Sequence, residues 1–156
     1  MTTEATFGAG CFWGVEARFR QVPGVLDAKV GYMGGGVDHP SYEQVCTDST
    51  GHVEVVQVYF DPARVPYETL ARAFFSMHDP TQVNRQGPDI GTQYRSVIFY
   101  HDDIQKSAAE EIRREMDQSG RFPGPIATSI EAAKTFWVAE DYHQQYLERR
   151  GGSCAI

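Results

Sequence analysis

The stretch Thr6-Phe7-Gly8-Ala9-Gly10-Cys11-Phe12-Trp13-Gly14-Val15 changes its period half-way through. Thr6 to Ala9 reads as a short strand that ends in Gly10. From Phe12 onward the apolar residues Phe12, Val15, Phe19 and Val22 recur at helical spacing, and Pro23-Gly24 stops the helix. The alternation continues outward. Val25 to Met33 reads as a strand closed by Gly34-Gly35-Gly36, and His52 to Phe60 as another closed by Asp61-Pro62. Pro66 opens a helix with Leu70, Phe74 and Met77 on one face. Asp79-Pro80 ends it, because a residue before proline is pushed out of the helical region. Tyr94 to Tyr100 is the next strand. Asp102 or Asp103 caps an exposed helix with the stripe Ile104, Ala108, Ile112 and Met116, ended by Gly120. Ile126 to Ile130 is a weak last strand, and Ala139 to Arg149 a last polar helix. The early order of strand, helix, strand, strand, helix, strand is the split βαβ pattern of ferredoxin-like sheets. It predicts an α+β fold: a two-layer α/β sandwich with helices on one face of a mixed sheet. Two connections, from about Gly34 to Thr50 and from about Asp79 to Gln93, are long enough to be functional. They carry Tyr42, Asn84, Arg85 and Asp89.

The 156 residues fit one domain over 1–156, with a flexible Gly-rich tail at 150–156. Hydrophobic residues at 41% and charged residues at 22% are ordinary for a globular chain. Fourteen basic against 21 acidic residues leave a net charge of −7, which works against nonspecific nucleic-acid binding. No apolar run approaches the ~20 residues of a membrane helix. Met1-Thr2-Thr3-Glu4 does not begin a signal peptide, so a cytoplasmic location is expected. Cys11, Cys46 and Cys154 stand far apart, which removes Cys-x-x-Cys and disulfide-scaffold readings. The five histidines are scattered, so no metal site is expected. Phosphate-loop, dinucleotide and Gly-x-Ser-x-Gly signatures are absent, and no cofactor is expected. Nothing marks an oligomer interface, so a monomer is the expectation.

Cys11 follows Gly8-Ala9-Gly10 at the start of a helix. A thiol there meets unpaired backbone N–H groups and the positive end of the dipole, which favour its thiolate. It reads either as a reactive cysteine or as a small buried residue at a strand–helix junction. Phe12 fits the helix stripe. Trp13 does not, and is expected to line a pocket. Two aromatics beside a nucleophile suit a small apolar group such as a methyl. Glu54 shares a strand face with Val56, Val58 and Phe60. A carboxyl on an apolar face is desolvated, stays protonated near neutral pH and can act as a general acid, unless it reaches water at the sheet end. Cys46, after Val45, is expected to be a buried, inert thiol. Glycines beside Cys154 would let it swing to a distant partner.

These residues occur in a longer ordered set. Gly10-Cys11-Phe12-Trp13-Gly14 resembles the active-site signature of the A-type peptide methionine sulfoxide reductases. The resemblance continues through Gly31-Tyr32-Met33-Gly34-Gly35, Tyr42-Glu43-Gln44-Val45-Cys46, Thr50-Gly51-His52-Val53-Glu54, Asp89-Ile90-Gly91-Thr92-Gln93-Tyr94 and Ala139-Glu140-Asp141-Tyr142-His143-Gln144. It implies reduction of the S epimer of methionine sulfoxide, free or in proteins, on an α+β two-layer sandwich. It implies Cys11 as nucleophile and Phe12 and Trp13 as the cradle of the substrate methyl. Glu54, Tyr42 and Tyr94 match the residues that hydrogen-bond the sulfoxide oxygen, and Asp89 a nearby polar residue. Cys154 takes the place of the resolving cysteine, and thioredoxin is the implied reductant. The sequence ends two residues after Cys154, which predicts a two-cysteine cycle from Cys11 to Cys154.

Three other classes use the same residues. A thiol peroxidase would need Cys11 and Cys154 but no methyl pocket. A cysteine hydrolase would pair Cys11 with His143 or His52. A binding module for oxidised methionine would form a complex without turnover.

Overall fold

The computed structural model describes residues 3–147. Its elements are β1 (Thr3–Ala9), α1 (Phe12–Arg20), β2 (Val25–Met33), α2 (Tyr42–Cys46), β3 (Val53–Phe60), α3 (Tyr67–Ser76), β4 (Arg85–Gln86), β5 (Asp89–Ile90), β6 (Ser96–Tyr100), α4 (Asp103–Gln118), β7 (Ser129–Ala132) and β8 (Trp137–Val138). Six strands form one sheet in the order β7-β6-β1-β3-β2-β8. The central order β6-β1-β3-β2 is antiparallel throughout and is the expected split βαβ arrangement. β7 adds to the edge in parallel with β6 and makes the sheet mixed.

Alternation along β3 sorts its side chains onto two faces. Val56, Val58 and Phe60 enter the larger core under the helices, where Phe7 stacks on Phe19 and Phe74 at 5.0 and 5.3 Å. Val53 and Val55 join Met33, Val97 and Phe99 in a second cluster, which Ala133 and Phe136 help to cover. Both faces of β3 are thus largely dry, which is why four of its eight residues are valine. Each such side chain contributes roughly 1.5–3 kcal/mol by burial. His78 ties the end of α3 to the start of β6. Its Nδ1 donates to the Phe74 carbonyl at 2.7 Å and its Nε2 accepts from the Ser96 hydroxyl at 2.8 Å. Burial pushes the His78 pKa down to about 4, so the ring is neutral.

Several expectations need correcting. The connection after β2 contains α2, which a Ser41–Gln44 capping box starts. The connection after α3 contains the β4–β5 hairpin and a 3-10 turn at Thr92–Tyr94, so Tyr94 precedes the strand instead of opening it. The strand expected at Ile126 to Ile130 lies at Ser129–Ala132, and it is not the last, because β8 follows at Trp137–Val138. Ile104 is 79% exposed, and Gln105 is buried in its place. The Gln105 amide donates to the Glu4 carbonyl and accepts from the His101 N–H, which an isoleucine could not do. No continuous helix begins at Ala139. Asp141–His143 is a 3-10 turn, and Gln145 adopts φ +54°. Gln144 Oε1 accepts the Val30 N–H, and its amide donates to the Val30 and Ala139 carbonyls. These contacts pin the segment to the edge of β2. Among the described residues, no helix is long and apolar enough to cross a membrane.

Candidate active site

β1 runs beside β3 until Phe7 faces Val56, and ends two residues later at Ala9. The chain leaves the sheet at Gly10 with φ +95°, where a Cβ would stand 2.8 Å from Cγ of Gln86. A left-handed backbone and a filled neighbour both select glycine here. Cys11 follows as the half-buried N-cap of the nine-residue α1, whose first turn holds no acidic residue. The positive end of this helix favours a thiolate.

Glu54 is only 1% exposed and lies on the helix-facing side of β3. Its Oε1 accepts the Phe12 backbone N–H at 3.4 Å, one residue from Cys11, and its Oε2 accepts from the Gln93 amide at 3.4 Å. Bonds this long are weak. Burial outweighs them, the charge of Asp89 adds to burial, and the Glu54 pKa is pushed up to about 8. At neutral pH the carboxyl holds its proton and can donate it.

Tyr42 opens α2, and Tyr94 closes the 3-10 turn. Burial, then the negative charges of Glu54 and Cys46, raise both phenol pKa values. Asp89 and Cys11 raise Tyr94 further. Both hydroxyls therefore remain donors at neutral pH. Asp89 is half-buried in β5, opposite Gln86. The Asp48 carboxylate accepts from the Thr92 N–H at 2.9 Å and from its hydroxyl, which fixes the turn that carries Tyr94.

Phe12 is buried, with ring centroids of Trp13, Tyr42 and His143 at 6.4, 6.4 and 5.2 Å. Trp13 is half-buried. Its indole N–H donates to Nδ1 of His143 at 3.0 Å, and its ring stacks on Tyr146 at 3.8 Å. Burial lowers the His143 pKa, which keeps Nδ1 available as an acceptor. The fold thus gathers Cys11, Phe12, Trp13, Tyr42, Glu54, Asp89 and Tyr94 into one site. Cys154 lies outside the described residues.

Cys46 is exposed, not buried as expected. The one-turn helix α2 points Val45 into the core and leaves the next residue outside. Its sulfur lies 3.6 Å from the Gln93 amide, at the edge of the site. Sequence reasoning gave no role to Gln93, Glu140 or Tyr146, which touch Glu54, Tyr42 and Trp13. The polar and aromatic residues of 139–146 were the available signal, hidden by the expected helix. His52 is consumed in holding a loop. Its Nδ1 accepts the Gly35 N–H at 3.1 Å, and its Nε2 donates to the Val37 carbonyl at 2.6 Å. That leaves it no free nitrogen for a hydrolase.

A family model described as peptide methionine sulfoxide reductase matches residues 3–156. The chain belongs to this family. It is 62% identical over 148 residues to the peptide methionine sulfoxide reductase MsrA of Methanoculleus marisnigri, covering 95% of this chain and 90% of that one. The crystal structure of reduced Mxr1 from Saccharomyces cerevisiae matches with a TM-score of 0.92 at 38% identity, over 99% of this chain and 89% of that one. Mxr1 in complex with Trx2 matches with a TM-score of 0.66 at 28% identity, over 93% and 84% of the two chains.

Proposed function

We propose that this reductase converts the S epimer of methionine sulfoxide, free or in proteins, to methionine through the Cys11 thiolate. The neutral Glu54 carboxyl, held one residue from the nucleophile, is the observation that carries the mechanism. A sulfoxide sulfur accepts a nucleophile only as its oxygen is neutralised. Glu54 supplies the proton, and the Tyr42 and Tyr94 hydroxyls donate hydrogen bonds to the same oxygen. Asp89 lines the polar side. Phe12 and Trp13 receive the methyl group, because an apolar wall favours it over a charged or hydrated substituent.

The thiolate forms a bond to sulfur as the S–O oxygen takes up the proton. Transfer of that oxygen to Cys11 releases methionine and leaves a sulfenic acid: the substrate gains two electrons and the thiol loses two. Cys154 then attacks the sulfenic sulfur, water leaves, and a Cys11–Cys154 disulfide remains. A thioredoxin dithiol reduces it by exchange. The complex of Mxr1 with thioredoxin Trx2 supports that choice of reductant. We place the enzyme in the cytoplasm as a monomer, with residues 1–156 one catalytic domain and 150–156 the tail that delivers Cys154. Low cysteine density supports a reducing compartment.

The test is single-turnover reduction of separated S and R epimers of a methionine sulfoxide peptide, without external reductant. One methionine per enzyme from the S epimer alone, and none from Cys11→Ser, is expected. Methionine from Cys11→Ser, or from neither epimer with folded, reduced enzyme, contradicts the proposal. Cys154→Ser should still give one methionine but no intramolecular disulfide.

A further inference from the structure

Glu140 takes no part in the chemistry above, yet it touches three walls of the site. Its Oε1 accepts from the Tyr32 hydroxyl at 3.1 Å, and its Oε2 accepts the Tyr42 backbone N–H at 3.1 Å. Its backbone carbonyl accepts the N–H of His143 at 2.9 Å, and His143 in turn receives the Trp13 indole. Tyr32 is fully buried, and its ring lies 5.8 Å from that of Phe12. The Tyr42 ring rests against Phe12 at 6.4 Å and His143 at 4.4 Å.

The Tyr42 contact matters because of where Tyr42 stands. α2 has five residues, barely one turn, and a helix that short has little stability of its own. Its position depends on what binds its unpaired N-terminal N–H groups. Ser41 satisfies the N–H of Gln44 locally at 3.1 Å. The N–H of Tyr42 itself is satisfied from 98 residues away, by Glu140. This carboxylate also places a negative charge at the helix N-terminus, where the dipole favours it. Burial works against the charge, but the backbone N–H groups of Glu140 and Tyr42, the Tyr32 hydroxyl and His143 outweigh it, and the Glu140 pKa is lowered.

We infer that Glu140 is a positioning residue for the reaction: its carboxylate anchors the backbone of α2, so that the Tyr42 hydroxyl is aimed at the sulfoxide oxygen. A second route runs through Tyr32, whose ring backs Phe12 and so the face on which the Tyr42 ring rests. This inference rests on the reading of Tyr42 as a donor to that oxygen. A donor used in the transition state is read in the rate constant at saturating substrate more than in KM. Loss of its anchor should be read in the same place.

The test is a double-mutant cycle on Glu140 and Tyr42, using the single-turnover rate constant with saturating S-epimer peptide. The burst amplitude counts folded, active enzyme separately from the rate, so a merely structural loss would lower amplitude and leave the rate constant alone. Glu140→Ala is expected to slow the step by about tenfold, and Tyr42→Phe by about the same factor. Glu140→Gln keeps one acceptor for the Tyr42 N–H and should lose only about threefold. In the Tyr42→Phe background, Glu140→Ala should cost less than about twofold more, because the group it aims is gone. If Glu140→Ala does not fold, Glu140→Gln takes its place in the cycle, and its threefold loss must likewise vanish. Multiplying effects, near 100-fold for the pair, or a wild-type rate constant in the Glu140 variants, would overturn the positioning role and leave the Tyr42 reading intact. A wild-type rate in Tyr42→Phe alone would overturn both.

Discussion

Glu54 and Tyr42 serve one proposed task, but the fold holds them in different ways. Glu54 belongs to a strand paired on both sides, with Tyr32 directly opposite on β2. Its face is fixed by the pleat, and a slip of one residue would exchange the two buried faces of β3 and carry Glu54 to the side away from the helices. Cys11 shares this support, since β1 delivers it to the end of the sheet. Tyr42, Asp89 and Tyr94 instead sit on a one-turn helix, a two-residue strand and a 3-10 turn. Side chains from remote parts of the chain hold these pieces: Glu140 for Tyr42 and Asp48 for Tyr94. The nucleophile and the acid are therefore set by backbone pairing, and the phenols by single remote side chains. Removing one contact should loosen a phenol without disturbing the sheet.

The largest effect belongs to the sheet-held group. Glu54→Ala removes the proton donor and should slow single turnover by about 100- to 1,000-fold. Glu54→Gln retains a donor and should lose less. The wild-type rate should fall as pH rises through about 8, where Glu54 loses its proton, and this limb should be missing from Glu54→Gln. Stability follows the same sign. The folded pKa of about 8 exceeds the ordinary 4.5, so the folded chain binds more protons than the unfolded one between those values. The Glu54 contribution is full below pH 4.5 and lost as pH rises through about 8, a loss that urea unfolding of Glu54→Gln should not show.

Gly10→Ala probes the backbone that places Cys11. Its positive φ and the Gln86 contact should cost about 1–3 kcal/mol in urea unfolding, with a loss of rate in the enzyme that remains folded. Tyr42→Phe and Tyr94→Phe should each lose about tenfold in rate with KM little changed and stability nearly unaffected. Asp48→Ala should have the smallest effect. Loss of the Thr92 contacts should free the Tyr94 turn and slow reduction by about two- to fivefold, at a cost of about 1 kcal/mol. If Asp48→Ala were as damaging as Glu54→Ala, the division between pairing-held and contact-held groups would fail.

The same division explains what the sequence made legible. Val53 to Phe60 announced a strand, and its alternation put Glu54 on the helix-facing side, because period-2 patterning is local. The Cys11 junction was legible for a similar reason: the change from strand to helix period marks the helix start. Tyr42 was marked by its long connection, and the roles of Tyr42 and Tyr94 were named through the family resemblance, while their supports were not. Glu140 meets Tyr42 across 98 residues, and Asp48 meets Thr92 across 44. No local pattern encodes such pairs. Ser41-x-x-Gln44 was a readable helix start inside what passed for a plain loop. Residues 139–147 misled because a left-handed Gln145 and the Gln144 bonds to Val30 override their helical composition.

Glu54, bonded to the backbone one residue from Cys11, can act as the acid only if it carries a proton at neutral pH. Carbon-13 NMR of the glutamate side-chain carboxyls across pH, with the Glu54 resonance assigned by its loss in Glu54→Gln, measures this directly. A titration midpoint near 8 is expected. A midpoint near the ordinary 4.5 would mean that Glu54 is ionised at neutral pH, and would contradict its role as the acid.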